Sequence, residues 1–513
     1  MPARSSLRVT LASLLAGAAG LMTLWFLGAR LWFELQGTLH DDVHTYLAVG
    51  RGILNGLTPY VDLFESKPPG MFLFSALSLK FFGDGSLLKF LQVIALIVIP
   101  TTTCALIWRE LGARSKLEKG IWFLTSLAFG SLIAVYTFAV SGEGLTEPVG
   151  AAACLLFAVL FAGADERIHP LRTIGLTFAI MLAVGVKEPF LLTLLAIVLL
   201  LARSVRHAIT AFVVPFAIAA LIGLIALTVL GYLGPYFSIY LKHMLGYHVN
   251  QLAEWNGSFP VRGLRIDKSV ANLFAFSPLL PIILGALFVG SVEEKWRIAL
   301  QGKEKFLSIG RVVLALYVLL LAVGTGGDFY AHHFVFAVPG YIVLFVLTVR
   351  WILEKWSHAA VNGAALLSAG ILATILLHTR IDYGEKLEAW SGYSTMLHSV
   401  AASIDGVLDR CAWDRYLHLV NKGGGPFAFT THSPEGPVFV QFNRFMDGSE
   451  EYKERFRVAL LESPIIVWKG PELTNLTDAA KDYVTLNFTT DPPACARPFE
   501  QIAPYTILFR KGV

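Results

Sequence analysis

Long apolar runs separated by short polar ones fill the chain as far as residue 378, and the pattern then stops. The runs cover 9–31, 87–108, 121–140, 148–163, 171–186, 189–202, 208–232, 273–290, 312–324, 334–349 and 359–378, about eleven in all. The first is long enough for a hydrocarbon core of about 30 Å at ~1.5 Å rise per residue. A short basic stretch, 1–8, precedes it and gives it signal-peptide character. The apolar run continues past the small residues 16–19, so it reads as an uncleaved first span. Segment 71–82 is too short to cross and follows Pro68-Pro69; it predicts a helix lying at the interface with Lys80 reaching to water. Lys187-Glu188-Pro189 interrupts 171–202. One long span would bury two charges at mid-membrane, so a hairpin of two short arms is expected. Non-helical backbone at such a turn needs a protein or cavity lining for its polar groups.

Beyond Thr379 the composition turns polar. Residues 380–513 hold short apolar stretches, 438–440 and 464–468, that read as strands, and 450–461 reads as a helix. The expected architecture is a polytopic α-helical membrane module over 1–379 followed by a small α/β domain over 380–513.

Composition agrees. The 513 residues are 55% hydrophobic and only 15% charged, against about 25% charged in water-soluble domains. A net charge of +4 without any basic tract gives no sign of nucleic acid as a partner. The basic residues act instead as topology markers. With the N-terminus cytoplasmic, Arg4, Arg8, Arg109, Arg114, Lys116, Lys119, Arg203, Arg206, Lys303, Arg311 and Arg350 fall on the inside, while Arg30 and Lys89 oppose the trend. The acid-bearing loop 34–70 and the α/β domain then lie outside, in the periplasmic or extracellular space of an inner (plasma) membrane protein. Cys104 and Cys154 fall in spans as packing residues; Cys411 and Cys495 fall outside, where a disulfide is allowed.

The outer loops carry more chemistry than connectors need. Asp41 and Asp42 open the first, with His40 and His44 nearby, then Pro59-Tyr60-Val61-Asp62 and Glu65-Ser66-Lys67-Pro68-Pro69. A carboxylate within hydrogen-bond reach removes the proton of a hydroxyl nucleophile. The bland alternative is a pair of solvated loop acids. His40 with the aspartates also offers oxygen and nitrogen donors to a divalent metal, although no clear ligand spacing supports one. No cofactor is required. Lys67 is either a headgroup anchor or a cation held against a phosphate. Lys187 requires a partner at its depth, either Glu188 or a lipid phosphate. Glu143 and Glu147 lie in the second outer loop, where Glu147 before Pro148 also suits a helix start. The loop after the seventh run brings Tyr236, Tyr240, Arg262 and Arg265: aromatics for a belt or for sugar faces, and arginines able to neutralise a phosphate. His332 and His333 read as structural or hydrogen-bonding groups rather than metal ligands.

The order Asp41-Asp42-x-x-x-Tyr46, Gly56-x-x-Pro59-Tyr60-x-Asp62, Lys67-Pro68-Pro69, then Gly185-x-Lys187-Glu188-Pro189 and 333–339, resembles the GT-C superfamily of integral-membrane glycosyltransferases. It is most similar to the bacterial branch related to protein O-mannosyltransferases and to the aminoarabinose transferase that modifies lipid A. The resemblance covers most of 1–380. It implies a GT-C fold with periplasmic interfacial helices, a polyprenyl-phosphate-linked sugar donor, and inverting transfer to a glycan, lipid or protein acceptor of the cell envelope outside the cytoplasm. By position it implies Asp41 or Asp42 as the base, and Lys67 and Lys187, with Arg262 and Arg265, at the donor phosphate. Tyr46, Tyr60, Asp62, Glu143, Glu147, His332 and His333 are the candidates for positioning acceptor and sugar. The competing readings are a transporter or flippase of lipid-linked sugars and a non-catalytic membrane scaffold.

Overall fold

A computed structural model of the chain describes residues 2–36, 41–63, 65, 67–141, 146–246, 249, 256–268, 303–325, 329–355, 360–378, 383–419, 425–435, 450–469 and 478–512. The apolar runs are helices: α1 (Pro2–Gln36), α2 (Asp41–Leu54), α3 (Pro69–Phe82), α4 (Ser86–Glu110), α5 (Lys116–Ser141), α6 (Thr146–Gly163), α7 (Pro170–Val186) and α8 (Phe190–Leu201). After α9 (Val205–Val229) come α10 (Lys303–Val323), α11 (Val338–Lys355), α12 (Ala360–His378) and α13 (Tyr383–Cys411). Among the described residues five helices are long and apolar enough to cross a membrane. In lipid the helix is favoured because it satisfies every backbone N–H and C=O internally. The run at 273–290 lies outside the described residues.

Side-chain contacts sort the helix ends into two sets. At one end the guanidinium groups of Arg109 and Arg203 both donate to the Ala162 carbonyl, Arg311 donates to the Ala202 carbonyl, and Arg350 faces Glu110. At the other end Arg30 reaches the Phe138 carbonyl and Lys187 meets Glu147. The chain thus alternates between the two ends. The charge of Arg30 is buried against Glu34 and lies over the rings of Phe33 and Phe138.

The stretch 170–201 is a hairpin. Helix α7 starts on Pro170 and ends where Lys187 turns extended (φ −164°, ψ 122°). Pro189 stands at the start of α8, and the residue before a proline is biased away from helix. Phe190 enters at the Glu147 end of α6: a Cβ on Gly150 would come within 2.0 Å of its ring. Arg203, just past α8, is back at Ala162 near the opposite end of α6. Lys187-Glu188-Pro189 is therefore the tip.

Helix α3 covers 69–82, with Phe72, Ser75 and Leu79 buried and Lys80 exposed, as expected for an element too short to span. It packs so closely on α2 that a Cβ on Gly50 would meet the Ala76 nitrogen at 2.7 Å. Segment 233–246, expected as loop, is helical with a π-helical stretch at Tyr236–Leu241.

The C-terminal part forms a five-stranded sheet in the order β2-β1-β3-β5-β4: β1 (Arg415–Leu419), β2 (Ser433–Glu435), β3 (Ile465–Lys469), β4 (Phe488–Thr489) and β5 (Tyr505–Arg510). The β1 contacts are parallel and those of β5 antiparallel. Alternate residues of β3 serve opposite faces, as the two-residue strand period requires. Ile465 and Val467 join the cluster containing Ile404 and Leu408 of α13. Ile466 and Trp468 join a second cluster with helices α14 (Glu450–Glu462) and α15 (Asp478–Asn487). Cys411 and Cys495 form a disulfide. The strand expected at 438–440 lies outside the described residues. This layer rests on the first outer loop: Phe429 packs against His44, Asn55 donates to the Thr431 carbonyl at 3.0 Å, and Arg455 donates to the Val61 carbonyl.

Candidate functional site

Two glycines build the site. A Cβ on Gly70 would stand 2.3 Å from the Gly185 carbonyl oxygen, so the start of α3 and the end of α7 touch backbone to backbone. That contact joins the Lys67-Pro68-Pro69-Gly70 and Gly185-x-Lys187-Glu188 segments, which are more than 100 residues apart in sequence. Lys67 and Lys187 are both close enough for their charges to act on the Glu188 carboxylate.

Lys187 does not take Glu188 as its partner. Its Nζ hydrogen-bonds Glu147 at the first turn of α6, and it also lies 5.2 Å from the centroid of the Phe336 ring. Glu147 is buried, 1% exposed, so an unpaired charge there would cost several kcal/mol. The sequence leaves Glu188 and a lipid phosphate as alternative partners for Lys187, and the structure gives it Glu147. The extended Lys187 and the helical Pro189 send the two side chains to different partners, and Glu188 instead accepts from the Tyr240 hydroxyl. Burial pushes the Tyr240 phenol well above its usual pKa, with the Glu188 charge adding to the effect, so it stays protonated and keeps donating.

An aromatic wall continues from there. Tyr240 lies 4.7 Å from Tyr60 and 5.3 Å from Tyr236, Tyr60 is 6.0 Å from Phe72, and Phe72 is 6.5 Å from Tyr46 on α2. Tyr60 sits at φ 67°, uncommon for a residue with a side chain. Its hydroxyl donates to the Lys67 carbonyl at 2.8 Å, which ties the strained turn to the lysine's backbone. Asp62 accepts the Thr58 N–H at 2.7 Å and closes the same turn. Lys67 stays partly open, 23% exposed and 3.7 Å from buried Glu65.

The 3₁₀ turn Ala331–Phe336 forms a further side. His332 and His333 are 4.4 Å apart, His333 stacks on Phe336 at 5.7 Å, and His332 is near enough to act on Glu147. The Phe336 carbonyl is fixed by the Thr193 hydroxyl at 2.6 Å.

The structure thus brings together Lys67, Lys187, Glu147, Tyr60, His332 and His333. It adds Phe336, which the sequence did not single out, and it turns Glu188 and Tyr240, read there only as an alternative partner of Lys187 and as a belt or sugar-facing aromatic, into a hydrogen-bonded pair. The i, i+4 spacing of Tyr236 and Tyr240 was a usable signal, because it puts two phenols on one helical face. Arg262 is buried on the carbonyls of Gly257 (3.0 Å), Gly324 (3.3 Å) and Thr325 (3.2 Å). Arg265 forms a two-point pair with Asp267 at 3.0 and 2.9 Å. Both arginines are engaged by protein groups that the sequence did not indicate. Asp41 and Asp42 begin α2, one turn before Tyr46, but their side chains lie outside the described part, as do His40 and Glu143. Among the described residues no group of three or more His, Cys, Asp or Glu is arranged to hold a metal.

No family model and no curated protein matches the chain. Among solved structures, ArnT from Cupriavidus metallidurans in the apo state is similar with a TM-score of 0.50, over 96% of this chain and 98% of that one. Sequence identity is 12%, so the likeness is one of fold. It extends over nearly the whole chain, and the fold is that of a polytopic helical membrane protein with a small sheet near the C-terminus.

Proposed function

We propose that the chain is a membrane glycosyltransferase that moves a sugar from a polyprenyl-phosphate carrier to a hydroxyl of a cell-envelope glycan, lipid or protein, on the face away from the cytoplasm. The observation that carries this reading is the convergence of Lys67 and Lys187 around the half-buried Glu188 and one tyrosine wall, through the Gly70–Gly185 contact.

In the proposed reaction the acceptor oxygen attacks the sugar's anomeric carbon as its bond to the phosphate oxygen breaks. One displacement inverts the configuration. Asp41 or Asp42 takes the hydroxyl proton, and the electron pair leaves on polyprenyl phosphate. Lys67, the more open cation, meets that phosphate first. Lys187, held by Glu147, adds positive charge where negative charge develops, a contribution already oriented before reaction. His332, half-buried, offers a hydrogen-bond edge to the sugar, while the buried Tyr46, Tyr60, Tyr240, Glu147 and His333 form the layer behind it that holds Lys67, Lys187 and Glu188 in place, with Asp62 shaping the turn. Arg262 and Arg265 are not assigned to the phosphate, because carbonyls and Asp267 occupy them. The polyprenyl tail stays in lipid while the sugar meets an aqueous acceptor, so a site at the helix ends serves both.

The test is transfer from a polyprenyl-phosphate sugar in proteoliposomes. Asp41→Asn or Asp42→Asn lowers the rate about 10²–10⁴-fold if a general base is removed. Unchanged transfer in both variants overturns the base assignment. Sugar-lipid movement across the bilayer with no product at all favours a flippase instead.

A further inference from the structure

At the end of the bundle opposite the site, α4, α5 and α6 leave an open groove of about 440 Å³, lined by Thr101, Cys104, Ala105, Trp108, Phe123 and Leu127. The volume is within the ~300–1,000 Å³ typical of ligand pockets. Its walls are apolar in effect. The Thr101 hydroxyl donates to its own helix, at the carbonyls of Ile97 (2.8 Å) and Val98 (3.1 Å). Trp108 and Phe123 meet edge to face at 6.2 Å and form one flank.

The mouth is cationic. Arg109 lines the groove and donates to the Ala162 carbonyl at 2.6 Å; Arg203 donates to the same oxygen at 2.7 Å. Two guanidiniums on one carbonyl leave most of their N–H donors facing outward, since each carries five. Both arginines are exposed, and among the described residues neither forms an ion pair. Lys119 stands over the Trp108 ring at 5.7 Å.

An apolar slot that ends on clustered cations matches an amphiphile with an anionic head. We infer that the groove binds an acyl chain of an anionic glycerophospholipid, with the lipid phosphate between Arg109 and Arg203 and beside Lys119. Basic pockets between transmembrane helices recognise such headgroups. A second copy of the chain fits less well, because a two-fold contact here would bring like-charged mouths together. The inference does not depend on the transfer reaction: a protein inactive with every sugar donor retains the same groove.

The test is native mass spectrometry of the full-length protein in detergent, titrated with phosphatidylglycerol and, separately, phosphatidylcholine. Phosphatidylglycerol remains bound and phosphatidylcholine does not. Arg109→Gln combined with Arg203→Gln weakens phosphatidylglycerol binding about tenfold or more. Arg203→Gln alone, at an exposed position, gives a smaller loss in a protein whose fold is not at risk. Ala105→Phe fills the slot and lowers retention with all the cations in place. Equal binding of the two lipids, phosphatidylglycerol binding in the arginine variants equal to that of the parent chain, or cross-linking of Trp108→Cys to a second copy would each overturn the inference.

Discussion

The two ends of the helical bundle treat charge in opposite ways. At the site end, Glu147, Glu65, Arg30 and Glu34 are almost fully buried, and each has a charged partner nearby. At the opposite end Arg109, Arg203 and Arg350 are exposed and rest on carbonyls or half-open acids. A charge in water costs little and orients the chain in the membrane. A charge between helix ends is expensive unless it is paired, so its position has to be held by geometry. The contrast separates residues that mark topology from those able to act on a substrate.

The strongest way to break that contrast is to orphan a buried charge. Lys187→Met leaves Glu147 unpaired and is expected to cost about 3–5 kcal/mol, seen as a lower unfolding temperature in detergent. Adding Glu147→Gln restores most of the stability without restoring transfer. If the single variant unfolds like the parent chain, the pair is not buried as described. Next is the backbone contact. Gly70→Val drives a side chain into the Gly185 carbonyl and is expected to cost about 1–3 kcal/mol, with loss of transfer that Lys67 and Lys187 in place do not prevent.

A smaller effect is written into the outer α/β layer. Burial, with Lys469 adding to it, pushes the imidazole of His418 well below its ordinary range. The unfolded chain takes up a proton near pH 6.5 and the folded one does not. Stability is therefore full above that pH and falls below it, by up to about 1.4 kcal/mol per pH unit. His418→Leu should flatten the fall between pH 6.5 and 5. The smallest effect belongs to the other end: Arg350→Gln, breaking a 3.6 Å pair with Glu110, should change stability by about 0.2–1 kcal/mol. A loss as large as that of Lys187→Met would erase the distinction between the ends.

Much of this was readable in the chain itself. Apolar run lengths located the helices, and Lys187-Glu188-Pro189 marked the hairpin tip, because a proline after two charges cannot continue a buried helix. Strand β3 followed from 464–468 and helix α14 from 450–461. The segment 233–246 was misread as loop. Its helix is interleaved with Gly and Pro, so local propensity understated what packing against Tyr60 and Glu188 supports.

The site was legible as a set of residue types, not as a set of pairs. Lys67, Lys187 and Glu147 stood out because charge beside apolar segments needs explanation, and Tyr60 because it stands in the polar turn Pro59-Tyr60-Val61-Asp62. That Lys187 turns to Glu147, that Glu188 turns to Tyr240, and that Arg262 is engaged by carbonyls depended on contacts between distant segments.

The sequence alone determined the class of protein, the alternation of its helix ends and the supply of charged groups at one of them, because these follow from the length and order of apolar runs and the cost of charge in lipid. Only the tertiary structure decided which charges meet. Partner choice depends on where two glycines let backbones touch and on how each helix end is turned, and neither is encoded by any one segment.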